Sequence, residues 1–130
     1  MQRLLIVFLF IIFYSCEKIT SNCKGILQTN SIADFQIDLF AVNEVQVTED
    51  ELLINVSYGG GCEEHDFNLI NVFNPSDGGG QQIDVLYLSH NANNDLCEAA
   101  ITEQLCFDIS EIVNSGLLYL VHQDSLYDLN

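Results

Sequence analysis

The sequence predicts an all-β domain, a small antiparallel β-sandwich or open barrel of about seven strands held together by disulfides. Apolar and polar residues alternate with a period of two through most segments after residue 33, and glycine-rich or asparagine-rich turns separate these segments. Helical segments do not alternate with the strands, which argues against a parallel α/β fold. Besides Cys16, the sequence has an even set of four cysteines, Cys23, Cys62, Cys97 and Cys106, which is typical of small exported domains with disulfides.

The alternation also predicts which residues share a face of their strand. The series begins with FQIDLF, residues 35–40, and LLYLVHQ and SLYDLN complete the sheet at the C-terminal end. One helical turn is expected over Ser110–Gly116. Alternation places Leu52, Ile54, Val56 and Tyr58 on one face, His65, Phe67 and Leu69 opposite Ile70 and Val72, and Ile83, Val85 and Tyr87 opposite Leu86 and Leu88. It predicts that Leu105, Phe107 and Ile109 point inward.

The first fifteen residues differ from the rest of the chain. Arg3 precedes ten apolar residues, Leu4 to Phe13, and a small residue, Ser15, lies just before Cys16. This order is typical of a secretory signal peptide. The apolar run is shorter than the roughly 20 residues that span a bilayer as a helix. It also lacks the polar face of a core helix. We therefore predict a signal peptide over residues 1–15.

The segment FYSC resembles the lipobox of bacterial lipoproteins, in which an apolar residue lies three positions before a cysteine and a small residue lies just before it. The resemblance implies cleavage before Cys16 and lipidation of Cys16, and two or more acyl chains anchor a protein stably in a membrane. We expect a bacterial envelope protein with a polar tether over residues 16–32 and a β-domain over residues 33–130. The alternative is ordinary secretion with Cys16 as a free thiol.

The predicted mature chain is strongly acidic. Two lysines, Lys18 and Lys24, face nineteen acidic residues, which leaves a net charge of −17. Such a surface repels nucleic acid and anionic headgroups, so we expect no nucleic-acid partner. The acids are spread along the chain, which favours a solvated acidic surface over a cation site. A protein and a small molecule both remain open as partners.

Two segments contain the residues that could support chemistry, GGGCEEH and SHNANNDLCEA. The glycines precede neither a helix nor Lys-Ser/Thr, so they are not a phosphate loop. Four cysteines allow three pairings, and a Cys62–Cys97 bridge would draw the two histidines to one corner. Zinc accepts two cysteines and two histidines as ligands, but the short paired spacings of structural zinc sites are missing, and exported thiols oxidise. A disulfide is favoured, and the alternative is a zinc site of Cys62, His65, His90 and Cys97.

Other chemistries are less well supported. Asn91, Asn93 and Asp95 alternate as oxygen donors, as in calcium loops, but Leu96 and Thr102 occupy the positions where an EF-hand needs glycine and glutamate. An Asx-rich turn is favoured over a looser calcium site. A cysteine hydrolase is unsupported because Cys62 and His65 would lie on opposite faces of a strand and no third orienting residue is evident. We therefore predict no catalytic residue, and a hydrolase or hydrolase inhibitor is the least favoured function.

Together the two segments resemble those of an uncharacterised family of small exported or lipidated bacterial proteins. Its pattern combines GGC-x-x-H-x-F with H-[DN]-A-[DN]-x-D-x-C and an FDIS-like strand. The matching residues are Gly60, Gly61, Cys62, His65 and Phe67, then His90, Asn91, Ala92, Asn93, Asp95 and Cys97, then Phe107 and Asp108. The resemblance covers roughly residues 52–110. It implies the bridges Cys62–Cys97 and Cys23–Cys106 and no activity, so we expect a binding or structural module, with a zinc or calcium module as the alternative.

Overall fold

The computed structural model describes residues 22–72 and 82–130, and in this part of the chain the protein is built from β-strands. The all-β prediction is confirmed, with eight strands where about seven were expected. No helix among the described residues is long and apolar enough to cross a membrane. The predicted signal peptide and Cys16 lie outside the described residues. The strands are β1 (Leu27–Thr29), β2 (Ala41–Thr48), β3 (Glu51–Gly60), β4 (Asp66–Val72), β5 (Ile83–Asn91), β6 (Ala99–Asp108), β7 (Leu117–His122) and β8 (Ser125–Asp128).

The strands form two sheets. A three-stranded antiparallel sheet has the order β2-β3-β6, and a five-stranded sheet has the order β1-β4-β5-β7-β8. The larger sheet differs from the antiparallel expectation because β1 runs parallel to β4 and β5 runs parallel to β7. Parallel neighbours need a crossover connection, and here strands of the other sheet supply it. The β2–β3 hairpin lies between β1 and β4 in the chain, and β6 lies between β5 and β7.

The folded domain begins earlier than the predicted boundary at residue 33. β1 lies within the segment expected to be a tether, and it pairs with Ile70–Val72 of β4. Lys24 forms a bridge with Phe107, and Cys23 is bonded to Cys106. Three residues are too few to show a period, so the sequence pattern could not reveal this strand. Conversely, residues 35–40 form only the single bridge between Ile37 and His90 instead of a full strand.

The core lies between the two sheets and includes Leu105, Phe107 and Ile109, the residues predicted to point inward. Leu52, Ile54 and Val56 of β3 have no exposed surface, and Phe107 of β6 is 1% exposed. Full burial of one such side chain contributes about 1.5–3 kcal/mol. The same core cluster includes residues of the five-stranded sheet, namely Phe67, Leu69, Leu86, Leu88, Leu118 and Leu120.

The inward face of β5 carries a polar residue at each end. Leu86 and Leu88 occupy its middle, while Asp84 and His90 are buried at the two ends. Asp84 accepts hydrogen bonds from Asn71 Nδ2 at 2.9 Å and from Ser115 Oγ at 2.6 Å. Buried polar groups are stable only when such bonds satisfy them. His90, at the other end, belongs to the corner predicted from the sequence.

Candidate functional site

Both disulfides join the cysteine pairs that the family resemblance implies. Cys62 is bonded to Cys97 with a Cα–Cα distance of 5.8 Å, and Cys23 is bonded to Cys106 with a Cα–Cα distance of 4.8 Å. A sulfur that is bonded to another sulfur is not available as a thiolate. The zinc set of Cys62, His65, His90 and Cys97 therefore lacks both of its sulfur ligands in this structure.

The GGGCEEH segment forms a cradle of backbone N–H groups for the carboxylate of Asp95. The N–H groups of Gly61, Cys62 and Glu63 donate to Asp95 Oδ2 at 2.8, 3.0 and 3.0 Å, and the N–H of Cys97 donates to Oδ1 at 2.8 Å. Gly61 has a φ of 115°, which glycine adopts without strain. Successive N–H groups of this kind form an anion-binding nest. The bonds from Glu63 and Cys97 are the main reason that the pKa of Asp95 lies well below its usual range.

The proposed calcium donors form an asparagine-rich turn. Asn91 Oδ1 accepts the N–H of Asn93 at 2.9 Å, and Asn93 Nδ2 donates to the carbonyl of Glu64 at 2.6 Å and to Asp66 Oδ2 at 3.0 Å. Both oxygens of Asp95 accept backbone N–H groups. These side chains bind different groups of the protein, and their hydrogen bonds are those of an Asx turn.

His65 and His90 meet as predicted, in a continuous hydrogen-bonded chain. Asp95 Oδ2 lies 3.2 Å from His65 Nε2, and His65 Nδ1 lies 2.8 Å from His90 Nε2. His90 Nδ1 lies 3.2 Å from the carbonyl oxygen of Asp38. The side chains of His65 and Asp95 are 1% and 0% exposed, and His90 is 1% exposed. The chain therefore runs through the interior of the corner.

Hydrogen-bond partners assign the protons in this chain. A carbonyl only accepts, so His90 Nδ1 carries a proton. Burial lowers the pKa of His90, so the ring stays neutral and its Nε2 accepts a hydrogen bond from His65 Nδ1. His65 therefore joins the neutral ring of His90 to the carboxylate of Asp95.

Aromatic rings close the corner on its inner side. Tyr58 stacks on His65 with ring centroids 4.5 Å apart, and Phe67 stacks on His90 at 4.3 Å with an interplanar angle of 6°. Burial, together with the hydrogen bond to Glu103, raises the pKa of Tyr58 to about 12. Every polar atom of the His65–His90–Asp95 chain is engaged within the protein, which is the arrangement of a structural network and not of a reactive site.

The space around Gly60 shows how tightly this corner is packed. A Cβ at residue 60 would lie 2.5 Å from His65 Nε2 and 3.0 Å from Asp95 Oδ2, whereas a Cβ at residue 59 meets nothing within 4 Å. We expect Gly60→Ala to lower the free energy of unfolding by about 1–3 kcal/mol, as overpacking does. Gly59→Ala is the matched control and should be neutral or slightly stabilising. Urea denaturation of both variants measures the difference, and equal stabilities would contradict the described packing.

A second feature, the β2–β8 groove, lies between the edge strands of the two sheets. Its first part encloses about 460 Å³ and is lined by Phe40, Val42, Tyr58, His122 and Tyr127 among other residues. Its second part encloses about 490 Å³ and is lined mainly by Val45, Val47, Leu126, Tyr127 and Leu129. Tyr127 lines both parts, so the two depressions are neighbours. The volumes fall in the range of about 300–1,000 Å³ that is typical of ligand sites.

His122 is a polar residue of the groove that the sequence pattern did not indicate. Its Nε2 is buried and has no hydrogen-bond partner in the described part of the protein. Its ring lies 4.2 Å from the ring of Phe40, and burial lowers its pKa. In the sequence His122 is one residue of the strand LLYLVHQ, with no motif around it, so no local signal marks it.

The rim of the groove is apolar and acidic. Leu39 is 85% exposed and Leu126 is 65% exposed, which is unusual for leucine. Glu44 of β2, Asp124 of the β7–β8 turn and Asp128 of β8 are exposed on its flanking segments. The sequence contains no lysine or arginine after Lys24. The groove therefore combines apolar contact surface with a negative surrounding field.

Stability should depend on pH through His90 and His122. Burial lowers the pKa of both rings below the unfolded value of about 6.5, so the unfolded chain binds more protons than the folded one as the solution becomes acidic. We expect the free energy of unfolding to fall between about pH 7 and pH 5. Chemical denaturation at several pH values measures this slope, and His122→Phe should reduce it. A slope of the opposite sign would contradict the neutral state of both rings.

Comparisons with known proteins place this fold among solved structures. No family model matches the chain, and no curated protein matches its sequence. A protein of unknown function, DUF1344, from Bacteroides vulgatus has a similar fold, with a TM-score of 0.60 and 12% identity over 83% of this chain and 56% of that one. A putative toxin related protein from Parabacteroides distasonis matches with a TM-score of 0.61 and 16% identity over 82% of this chain and 59% of that one.

A third solved structure, a NigD-like immunity protein from Bacteroides caccae, matches with a TM-score of 0.57 and 13% identity over 81% of this chain and 58% of that one. This chain thus spans less than two thirds of the length of each of the three proteins. Identities this low show the fold alone. The chain has a two-sheet β fold that is similar to the folds of these three proteins.

Proposed function

We propose that this chain is a lipid-anchored bacterial envelope protein whose β-domain binds a basic protein partner. The observation that carries the proposal is the β2–β8 groove, a depression with aromatic and polar lining beside exposed acidic side chains, on a chain whose predicted mature form has a net charge of −17. Opposite charge steers partners together and disfavours the wrong ones. The closed corner supports binding rather than catalysis, because its histidines are engaged within the protein.

The anchor follows from the N-terminal sequence. A short apolar run after Arg3 and the lipobox-like FYSC support export and lipidation of Cys16. Cys16→Ser should move the protein from the membrane fraction to the soluble fraction and remove the mass of the lipid. Retention of Cys16→Ser in the membrane fraction would contradict lipid anchoring.

The form of binding is proposed from two of the similar structures. One is described as an immunity protein and another as toxin related. Protection against a toxic protein needs only a stable complex, which a small rigid domain can supply without chemistry. We infer that the partner is a secreted basic protein that is harmful to the cell.

Growth in the presence of secreted proteins tests this proposal. Proteins secreted by the same species are fractionated on a cation exchanger, and the retained fraction is added to the parent strain, a deletion strain and the deletion strain complemented with either the wild-type gene or Cys16→Ser. We expect growth of the deletion strain to be inhibited and only the wild-type gene to restore it fully. Equal growth of parent and deletion strains in every fraction would contradict protection.

A further inference from the structure

We infer that the β2–β8 groove binds an extended basic segment of the partner, which lies along the outer edge of β2 and inserts a tyrosine side chain between Tyr58, His122 and Tyr127. The inference rests on the proposed function and specifies the surface and the partner chemistry that the function needs. Three observations support it independently: the pairing of the edge strands, the lining of the cleft and the distribution of charge.

The edge strand offers unpaired main chain. β2 pairs with β3 and, within the described residues, with no other strand, and β8 likewise pairs only with β7. Extended peptides add to such edges through main-chain hydrogen bonds, and side-chain pockets then supply specificity. A bulge at Asn43 interrupts the register of β2 and β3, where Asn43 Nδ2 donates to Asn55 Oδ1 at 2.8 Å. The regular edge that can accept a strand therefore runs from Glu44 to Thr48.

The cleft beside this edge selects the inserted side chain. It is lined by aromatic rings and carries no charged side chain in its first part, so it favours an aromatic residue. Ser57, Gln123 and Ser125 line the same part of the cleft. A phenolic hydroxyl can donate to such groups or accept from them, which a phenyl ring cannot. Tyrosine supplies both the ring and the hydroxyl.

The charges around the groove determine which charge a bound segment should carry. Glu44, Asp124 and Asp128 are exposed on the strands and turn that flank the groove. Lys24, the lysine of the described part, does not line the groove, and its side chain donates to the carbonyl of Phe67 at 2.7 Å. A segment with lysine or arginine next to its apolar residues is therefore complementary, and an acidic segment is repelled.

A designed heptapeptide tests the inference on the soluble mature protein. In the probe, lysine alternates with valine around a central tyrosine, and two analogues replace either the lysines with glutamate or the tyrosine with phenylalanine. We expect the lysine peptide to shift the backbone amide signals of Glu44–Thr48 and the ring signals of His122 in NMR titrations. The glutamate analogue should not bind, and the phenylalanine analogue should bind about threefold to tenfold more weakly.

Two leucines provide matched variants. Leu39→Asn, at the rim of the groove, should weaken binding about tenfold. Leu96→Asn changes a comparably exposed leucine, 92% against 85%, that does not line the groove, and it should leave the affinity unchanged. Both side chains are exposed, so neither change should unfold the domain.

Three results would overturn the inference. They are binding whose shifts lie away from β2, equal effects of the two leucine variants, and failure of the lysine peptide to bind at millimolar concentration. Self-association of the protein through β2, seen as a dimer by light scattering, would identify a second copy as the occupant and would also overturn it. The growth experiment does not use the peptide. If the wild-type gene protects the cells and any of these results is also obtained, the groove is not the binding site, but the proposed function still holds.

Discussion

Removing the Cys62–Cys97 bridge is expected to lower the free energy of unfolding by about 3–4 kcal/mol. The two cysteines are 35 residues apart in the chain, and in the chain-entropy model a bridge of that span restricts the unfolded state by roughly this amount. The double variant Cys62→Ala with Cys97→Ala removes the bridge without leaving a lone thiol. Urea denaturation at pH 7 of this variant and the parent protein measures the difference.

The same protein also tests whether a disulfide or a metal ion closes this corner. The oxidised protein should melt at the same temperature with zinc, with calcium and with a chelator, because its thiolates are absent and both Asp95 oxygens accept N–H groups. A rise of several degrees with zinc or calcium, lost in the double variant, would show that a metal and not the bridge closes the corner.

His90→Ala should be the most damaging change of a single residue outside the cysteines, with a loss of about 3–5 kcal/mol. The ring is 1% exposed and stacks on Phe67, so its removal leaves a cavity. The His90 ring also accepts a hydrogen bond from His65 and donates one to the carbonyl of Asp38, so its loss leaves both groups without a partner. Thermal or urea unfolding of the variant measures the loss.

Two further variants separate packing from hydrogen bonding. His90→Phe keeps an aromatic ring on Phe67 but removes both hydrogen bonds, and we expect it to lose about 1–3 kcal/mol. His122→Ala alters a histidine whose Nε2 has no partner and should cost about 1 kcal/mol. Equal losses for His90→Ala and His122→Ala would contradict the role of the buried chain.

The sequence predicts the core strands well because each has enough residues to show a period. Ten residues of β3 put Leu52, Ile54 and Val56 on one face, and these side chains are fully buried. β1 has three residues, and pairing with β4 rather than periodicity holds it in the sheet. The pattern also could not predict that some neighbouring strands are parallel, because alternation within one strand says nothing about the direction of the next.

The corner was predictable in part. The spacing of cysteines and histidines indicated that Cys62, His65, His90 and Cys97 meet, and the structure brings them together. The main role of Asp95 was not evident, because backbone N–H groups hold its carboxylate and such groups leave no mark in a sequence. The groove depends on residues from distant segments, such as Val42, His122 and Tyr127, and only the packing of the two sheets brings them together.

The central claim is that the corner stabilises the domain while the β2–β8 groove binds. Hydrogen–deuterium exchange of the mature protein with and without the lysine–valine–tyrosine heptapeptide tests both halves in one measurement. We predict slower exchange in Ala41–Thr48 when the peptide is present, with no change in the GGGCEEH segment or in residues 90–97. Slower exchange in those corner segments with β2 unchanged would contradict the claim.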